Sequence, residues 1–426
     1  MRRTARENAP CALAALAGCA ALAWLGLYGF AWNDYDNEAR PAFDALVNGH
    51  LEQFLRLAPA YGGSLVERAP FALLAHQLGG GELAVYRWLA LPCLLACAAI
   101  GVWLVSRMRG ERRPLLHRGI ALAVCVANPI TLRALEVGHP EELLGACLCV
   151  AAVLLAAENR GLWAGVLLGL AIANKQWALL AAGPVLLALP ARRRPACVAS
   201  AVVVAGIVLA PLGLVSSGGF VSAARASAAA PSAIFQPWQA WWFFGHHGAL
   251  VHGAFGVAKP DYRVGPAWTA AISHPLVVVI GIVLSVWLWL RERIKGRIGA
   301  GQALLALAVV MLMRCLLDTW DTEYYLLPFV IAVLAWEVRE LDRRPPVIAL
   351  ASSALAWLSF QWLPEHFSPD VQAAFFLTWS VALAAALVQR LFFARGLTRP
   401  QRARAEAAGG LQEMTVRPLS RPLSTS

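Results

Sequence analysis

Charged side chains are scarce in this sequence, and their scarcity defines the class of protein. Only 14% of the 426 residues are Asp, Glu, Lys or Arg, whereas 59% are hydrophobic. Residues 11–31, 83–106 and 196–216 form apolar runs without an acidic residue. A bilayer core requires about 20 apolar helical residues for one crossing. Because a soluble core requires no such runs, the composition predicts an all-α polytopic membrane protein.

Patterns typical of disulfide frameworks and metal sites are also missing. The nine cysteines all lie inside apolar runs, where a thiol behaves as a small hydrophobic group. His139 has no second histidine at the spacing of metal ligands. We therefore predict no disulfide framework and no metal site at these residues.

The basic residues are distributed unevenly along the chain. The net charge of +11 would suit nucleic-acid binding, but 26 of the 36 Lys and Arg residues lie in segments that we assign to the cytoplasm. Seven lie in outer segments, and Arg87, Arg133 and Arg314 lie within spans. This asymmetry follows the positive-inside rule. It predicts a multi-pass protein of the plasma membrane with both termini in the cytoplasm, and it argues against a nucleic-acid partner.

The apolar runs divide residues 1–395 into about twelve transmembrane helices. The predicted spans start near residues 11, 83, 119, 140, 161, 176, 196, 274, 299, 324, 346 and 370. Outer loops are expected at about 32–82 and 217–273, and residues 396–426 read as a disordered basic cytoplasmic tail.

One pair of predicted spans contains a polar interruption. Asn174, Lys175 and Gln176 stand in the middle of the apolar run 162–190. A single long helix would place a lysine near the membrane centre at a cost of about 3 kcal/mol. The alternative is a short helical hairpin whose polar tip lies at the outer face. The basic residues on both flanks of the run favour the hairpin.

The first outer loop is predicted to contain amphipathic helices, of which one continuous helix lies on the membrane surface. Its face is marked by residues that recur at helical spacing, namely Ala42, Leu46, His50, Phe54 and Leu57.

Two carboxylates follow directly after the first span. Asp34 and Asp36 stand in the sequence Asn-Asp-Tyr-Asp-Asn-Glu over residues 33–38. A carboxylate at this level can accept a proton from a hydroxyl while the membrane holds a lipid substrate beside it. The alternative is that the acids only cap the helix that follows.

Further polar residues are predicted at the same outer level. They are Arg133, Glu136, His139, Glu141, Glu142, Asn174, Lys175, Gln176, Arg314, Asp318, Asp321 and Glu323. Cations at headgroup depth suit a lipid phosphate and are costly without such a task. The alternative is internal pairing, of Arg133 with Glu136 and of Arg314 with Asp318.

The second outer loop is rich in aromatic residues between positions 235 and 247, including Trp238 and Trp241. Such residues commonly form the belt of tryptophan and tyrosine at the membrane interface. The alternative is a platform for a sugar ring or for the first isoprene units of a lipid.

Several short motifs are similar to those of the GT-C membrane glycosyltransferases, and within them to glycosyltransferase family 87. The similarity runs from Trp24 to about Glu337. It rests on the acids after span one followed by Ala39, Ala42, Leu46 and Gly49; on Gly138-His139-Pro140; on residues 169–177; and on Arg314-Cys315 through Tyr324, Tyr325 and Pro328.

The resemblance implies a GT-C-like bundle and an inverting sugar transfer at the outer face. It implies a polyprenyl-phosphate sugar, expected to be mannose, as donor, a lipid or glycan as acceptor and an aspartate as general base. The position 13 residues before Gly49 points to Asp36, but Asp34 is also available, and Asn37-Glu38 replaces a more usual tyrosine.

The remaining candidates have roles in substrate binding. Lys175, Arg314 and Arg68 are expected to bind the donor phosphate. Because these cations could stabilise the leaving phosphate without a metal, no obligatory cofactor is expected. The alternative is a divalent ion near the acids of the first outer loop. Expected substrate contacts are His139, Glu141, Gln176, Trp238, Trp241, Asp318, Tyr324 and Tyr325. The rival interpretation is a lipid-linked sugar flippase or transporter, in which the intramembrane cations would line a path. Acids gathered near the outer face and the lack of an internal repeat favour the enzyme.

Overall fold

The computed structural model describes residues 2–26, 34–215, 237–247, 251–252, 258–259, 261–319, 322–341 and 344–393. The predicted tail 396–426 and the candidate Asp321 lie outside the described residues. Helices dominate this part of the chain, as the apolar runs predict.

The α-helices are α1 (Arg2–Gly26), α2 (Arg40–Val47), α3 (Leu51–Leu57), α4 (Gly62–Gln77), α5 (Glu82–Gly110), α6 (Leu115–Val126), α7 (Pro129–Val137), α8 (Glu141–Ala157), α9 (Gly161–Asn174), α10 (Ala182–Ala188), α11 (Arg194–Val215), α12 (Ala267–Lys295), α13 (Ala300–Leu317), α14 (Leu327–Glu340), α15 (Val347–Trp357), α16 (Leu363–His366) and α17 (Pro369–Phe393). Shorter helical turns are the π-helices Tyr35–Ala39 and Leu358–Trp362 and the 3₁₀ helices Gln176–Ala181, Ala191–Arg193, Trp242–Phe244 and Glu323–Leu326.

Among the described residues, seven helical segments are long and apolar enough to cross a membrane. They are Glu82–Gly110, Leu115–Val137, Ala191–Val215, Ala267–Ile294, Ala300–Leu317, Val347–His366 and Pro369–Phe393. The all-α membrane class is therefore confirmed. Each of the other predicted spans also falls on a helical segment, but a count of about twelve crossings stays a prediction.

The described part of the predicted second outer loop contains four two-residue strands, β1 (His246–His247), β2 (Val251–His252), β3 (Ala258–Lys259) and β4 (Arg263–Val264). Strand β1 pairs with β4 and β2 pairs with β3, both antiparallel. The loop is tied to the N-terminus of α17, because the Arg263 guanidinium binds both carboxylate oxygens of Asp370 at 3.0 and 2.9 Å.

The interrupted run 162–190 is a hairpin rather than one helix. Its backbone becomes extended at Lys175, with φ −151° and ψ 134°, between α9 and the 3₁₀ turn that leads to α10. The guanidinium of Arg297 donates both to the Asn159 side chain before α9 and to the Ala188 carbonyl at the end of α10. The two ends of the run therefore lie side by side, and Lys175 lies at the tip.

The helices connect two opposite ends of the bundle, which we call the site end and the far end. The far end is defined by arginines that bind helix carbonyls and neighbouring acids. Arg113 donates to the Val338 carbonyl at 2.5 Å and Arg291 donates to the Leu391 carbonyl at 2.7 Å. The C-terminus of a helix carries partial negative charge, so these cations stabilise it. The basic segments that we assigned to the cytoplasm, where described, lie at this end.

The amphipathic stretch of the first outer loop is two helices and not one. Helix α2 ends at Val47, and Gly49 adopts φ +82° before α3 begins at Leu51. Its left-handed backbone is the usual way for glycine to end a helix. As a result His50 and Leu57 are exposed, whereas Phe54 remains buried on the predicted face.

The second outer loop ends earlier than predicted. Helix α12 begins at Ala267, with Pro266 before it, rather than near residue 274. Ser273 and His274 therefore belong to the helix, and the Ser273 hydroxyl donates to the Leu317 carbonyl at 2.5 Å. The helix continues through Pro275.

The two-ended arrangement predicts the labelling of single cysteines by a membrane-impermeant maleimide. Cysteines introduced at the exposed positions Gln53 and Gln77 should react in intact cells. Cysteines at the exposed positions Arg193 and Glu158 should react only after the membrane is permeabilised. Labelling of all four from one side would contradict the arrangement, and a reversed pattern would contradict the predicted orientation.

Candidate functional site

A π-helix orients the two candidate carboxylates in different directions. Residues Tyr35–Ala39 form one wide turn directly before α2. Asp34 at its start contacts the His139 ring, with 3.2 Å between Oδ2 and Nε2. Asp36 turns the other way and pairs with Arg40 at 3.3 Å. Wide turns of this kind are rare and often occur at functional sites.

Gly138 allows the His139 loop to approach the π-helix. It ends α7 with φ +104°, a conformation that side chains rarely adopt. A Cβ atom built on Gly138 would lie 2.6 Å from the Tyr35 backbone nitrogen and Cβ. Only glycine therefore permits the contact that places Asp34 beside His139.

His139 joins two carboxylates that come from distant parts of the chain. Its Nδ1 lies 2.7 Å from Glu141 Oε1, and its Nε2 faces Asp34. Burial and the Lys175 ammonium lower the pKa of His139, but Glu141 and Asp34 raise it, and the result is a pKa of about 9. The ring is thus a cation at neutral pH, and each of its two N–H groups donates a hydrogen bond to one carboxylate.

Glu141 is the centre of the cluster. Its side chain is completely buried at the N-terminus of α8, where a helix favours negative charge. Oε1 also binds the Lys175 ammonium at 3.1 Å, and Oε2 binds Arg68 at 3.1 Å. Asn174 donates to the Glu141 backbone carbonyl at 2.9 Å. Sequence analysis predicted a substrate contact here, but the oxygens of Glu141 are occupied by protein groups.

Glu142 pairs with two cations on its own side of α8. Its Oε1 lies 3.4 Å from Lys175 Nζ and 3.6 Å from Arg314 Nη2. The predicted internal pair of Arg314 with Asp318 is replaced by this one, and Asp318 pairs with His274 at 3.2 Å. The Arg314 guanidinium stacks 4.0 Å from the Tyr325 ring centre and 4.9 Å from that of Trp177. Its Nη1 and the Trp177 Nε1 have no hydrogen-bond partner among the described residues.

Two tyrosines enclose the cations. The Tyr61 ring lies under Lys175, 4.1 Å from Nζ to ring centre, and its edge meets the His139 ring at 5.4 Å. Tyr324 also packs against His139, with 4.9 Å between the ring centres. Burial raises the pKa of Tyr61 well above its usual range, so the phenol keeps its proton and donates a hydrogen bond to Glu38 at 2.8 Å.

The structure brings together Asp34, Arg68, His139, Glu141, Lys175, Arg314, Tyr324 and Tyr325 from the predicted set. Gln176 is exposed near the tip of the hairpin and donates weakly to the Ala60 carbonyl at 3.5 Å. The predicted pair of Arg133 with Glu136 is present at 2.9 Å, and Arg133 also binds Glu323.

The two predicted tryptophans have other contacts. Trp238 packs against Phe360 at 4.8 Å between ring centres. Trp241 is buried and its indole donates to the Leu317 carbonyl at 2.6 Å. Their contacts fasten the second outer loop to the helix ends, and a role in substrate binding stays a prediction.

Sequence reasoning missed Tyr61, Trp177 and Glu38 as members of the site. Tyr61 carried no signal, because it stands in a loop without a motif. Trp177 belonged to the similar stretch 169–177, but nothing in its spacing pointed to Arg314. Glu38 was noted as a neighbour of the acids, and its distance from Tyr61 along the chain hid the contact.

The cluster alternates cations with carboxylates. The cations are Arg68, His139, Lys175 and Arg314, and the carboxylates that contact them are Asp34, Glu141 and Glu142. Lys175 and Arg314 share Glu142, and Arg314 keeps an Nη1 without a hydrogen-bond partner among the described residues. Asp34, whose side chain is 36% exposed, is the carboxylate open to a substrate.

The middle of the chain matches the model of a known protein family. The model of glycosyltransferase family 87 matches residues 63–319, which is more than half of the chain. This range contains every cation of the cluster and the carboxylates Glu141 and Glu142, whereas Asp34 precedes it. None of the curated proteins compared with the chain matches it.

The glycine at 138 should be essential for stability at the site. Gly138→Ala introduces both a left-handed alanine, at about 1–2 kcal/mol, and a clash with Tyr35. We expect a clear fall in the thermal unfolding temperature in detergent and a loss of activity. Gly119→Ala is the matched control, because it lies in α6 with open space around its Cβ position, so alanine should not destabilise it. Equal melting temperatures for both variants would refute the close approach.

Proposed function

Because the chain belongs to glycosyltransferase family 87, it is a membrane glycosyltransferase, and we propose that it transfers mannose from a polyprenyl-phosphate donor to a lipid or glycan acceptor. The observation that carries the proposal is the pair of cations Lys175 and Arg314 beside Glu142, where Arg314 Nη1 and Trp177 Nε1 have no hydrogen-bond partner among the described residues. A polyprenyl-phosphate sugar is a phosphodiester, and its anionic oxygens are suited to these donors.

Lys175 and Arg314 are the proposed contacts of the donor phosphate. Both lie beside Glu142, and the free Nη1 of Arg314 and Nε1 of Trp177 are unused donors at the same place. Buried donors without partners are costly, and a phosphate oxygen would satisfy them. Arg68 is 3% exposed and donates to Glu141 and to the Ser64 carbonyl. We therefore assign Arg68 the role of orienting Glu141 rather than binding phosphate.

Asp34 is the proposed general base. Its Oδ2 accepts a hydrogen bond from the His139 ring, which leaves Oδ1 to take up the proton of the acceptor hydroxyl. The acceptor oxygen then forms a bond to the anomeric carbon as the bond from that carbon to the phosphate oxygen breaks on the opposite face. The configuration at the anomeric carbon is inverted, and the departing polyprenyl phosphate gains one negative charge. Lys175 and Arg314 stabilise that charge as it develops.

The outer face is the proposed side of the reaction. The cluster lies at the end of the bundle away from the arginines that bind helix carbonyls at the far end. Under the positive-inside rule that basic end is cytoplasmic. A lipid-linked donor on the outer leaflet would then present its phosphate at the depth of Lys175.

Replacement of Asp34 by asparagine should abolish transfer. Asparagine keeps the size and can still accept a bond from His139, but it takes up no proton at neutral pH. We expect kcat to fall about 10²- to 10⁴-fold with labelled polyprenyl-phosphate mannose in proteoliposomes. Asp36→Asn is the matched control, because its exposed pair with Arg40 is worth at most about 1 kcal/mol.

The pair of variants separates three outcomes. Loss in Asp36→Asn alone would assign the base to Asp36, as the family resemblance implies. Normal transfer by both variants and by the double variant would remove the base mechanism. Movement of the labelled lipid between leaflets without any transfer in the wild type would point to a flippase instead.

Lys175→Ala and Arg314→Ala should weaken use of the donor. Each loses a charge-assisted contact, so the KM for donor should rise about 10- to 100-fold while the KM for acceptor changes little. Arg314→Lys keeps the charge and should recover part of the loss. Arg133→Ala is the control for loss of an arginine outside the cluster. An unchanged donor KM in folded variants would mean that these cations serve only to pair with Glu141 and Glu142.

A further inference from the structure

Glu38 is a second carboxylate on the substrate side of the π-helix. It stands four residues after Asp34, nearly one full turn of a π-helix. Asp34 contacts His139, Glu38 contacts Tyr61, and the rings of His139 and Tyr61 touch. Glu38 and Asp34 therefore border the same pair of rings, whereas Asp36 between them points to Arg40.

One oxygen of Glu38 is held and the other is available. Oε2 accepts a hydrogen bond from the Tyr61 hydroxyl at 2.8 Å. Within the described part of the chain, Oε1 has no hydrogen-bond partner, and the residue is exposed. Tyr61 is in turn fixed by its contacts with Lys175 and His139. The carboxylate is thus pre-oriented, which lowers the entropy that a ligand must remove on binding.

The two sides of the site differ in charge. Arg68, His139 and Arg314 are buried, whereas Asp34 and Glu38 form the side open to solvent. An acceptor that approaches Asp34 from outside therefore meets carboxylates first. These repel an anionic group and accept hydrogen bonds from hydroxyls.

We infer that Glu38 selects the acceptor by binding a hydroxyl next to the one that Asp34 deprotonates, so that the acceptor ends in a neutral sugar or cyclitol with vicinal hydroxyl groups. The inference rests on the proposed function. A simple alcohol lacks the second hydroxyl, and a phosphorylated end would place an anion against Glu38. Both should be poor acceptors.

Kinetics with octyl α-mannoside and its monodeoxy analogues test the inference. Glu38→Ala should raise the KM for octyl α-mannoside about 10- to 100-fold, the value of a hydrogen bond to a charged group. The donor KM should stay unchanged. With the wild type, the KM for one deoxy analogue should exceed that for octyl α-mannoside by a similar factor. With Glu38→Ala, removal of the same hydroxyl should raise the KM little further, because the two changes remove the same contact. Glu52→Gln, an exposed acid on α3 paired with Arg56, is the matched control and should behave as the wild type.

Tyr61→Phe distinguishes selection from packing. It removes the hydroxyl that holds Glu38 but leaves the carboxylate, so its effect on acceptor KM should be smaller than that of Glu38→Ala and still depend on the same deoxy position. The inference is wrong if Glu38→Ala leaves the acceptor KM unchanged. It is also wrong if Glu38→Ala raises the KM for every deoxy analogue by the same factor. A wild type that transfers no sugar from the donor would instead overturn the proposed function, so the two failures can be told apart.

Discussion

The requirement to neutralise one buried carboxylate organises the site end of this protein. Glu141 has no exposed surface, and an unpaired charge in such a place costs several kcal/mol. Three cations meet the requirement, and they come from α4, from the loop before α8 and from the tip of the 162–190 hairpin. The pairing therefore joins segments that are far apart in sequence, and it brings His139 to the position where it can hold Asp34.

Much of this arrangement could be predicted from the residues, and the reasons differ from case to case. The hairpin was predictable because a lysine in mid-membrane is expensive, and the structure confirms the break at Lys175. The prediction of a single amphipathic helix was wrong. The apolar residues keep helical spacing on both sides of Gly49, but the backbone adopts a left-handed conformation at that glycine and the helix ends. The spacing of apolar residues alone does not show that a single glycine ends the helix.

Contacts between segments far apart in the chain could not be predicted from the sequence. Arg314 has an acid four residues away in Asp318, the spacing of a helical ion pair, but helix α13 ends before that residue and its true partner Glu142 lies on α8. The choice between Asp34 and Asp36 was likewise open, since a regular helix and a π-helix orient these two side chains differently. Tyr61 entered the site only because α4 packs beside the hairpin tip, a contact that no local pattern encodes.

The π-helix has a consequence for how this site changes in evolution. A wide turn is equivalent to one extra residue inserted in an α-helix, and each residue of an α-helix corresponds to a rotation of about 100°. Deletion of one residue from 35–39 would return the segment to a regular helix and rotate everything before it relative to α2. Asp34 would then turn away from His139, and a neighbouring side chain would take its place. A single-codon indel, rather than a substitution, is thus the smallest genetic step that exchanges the group beside the histidine.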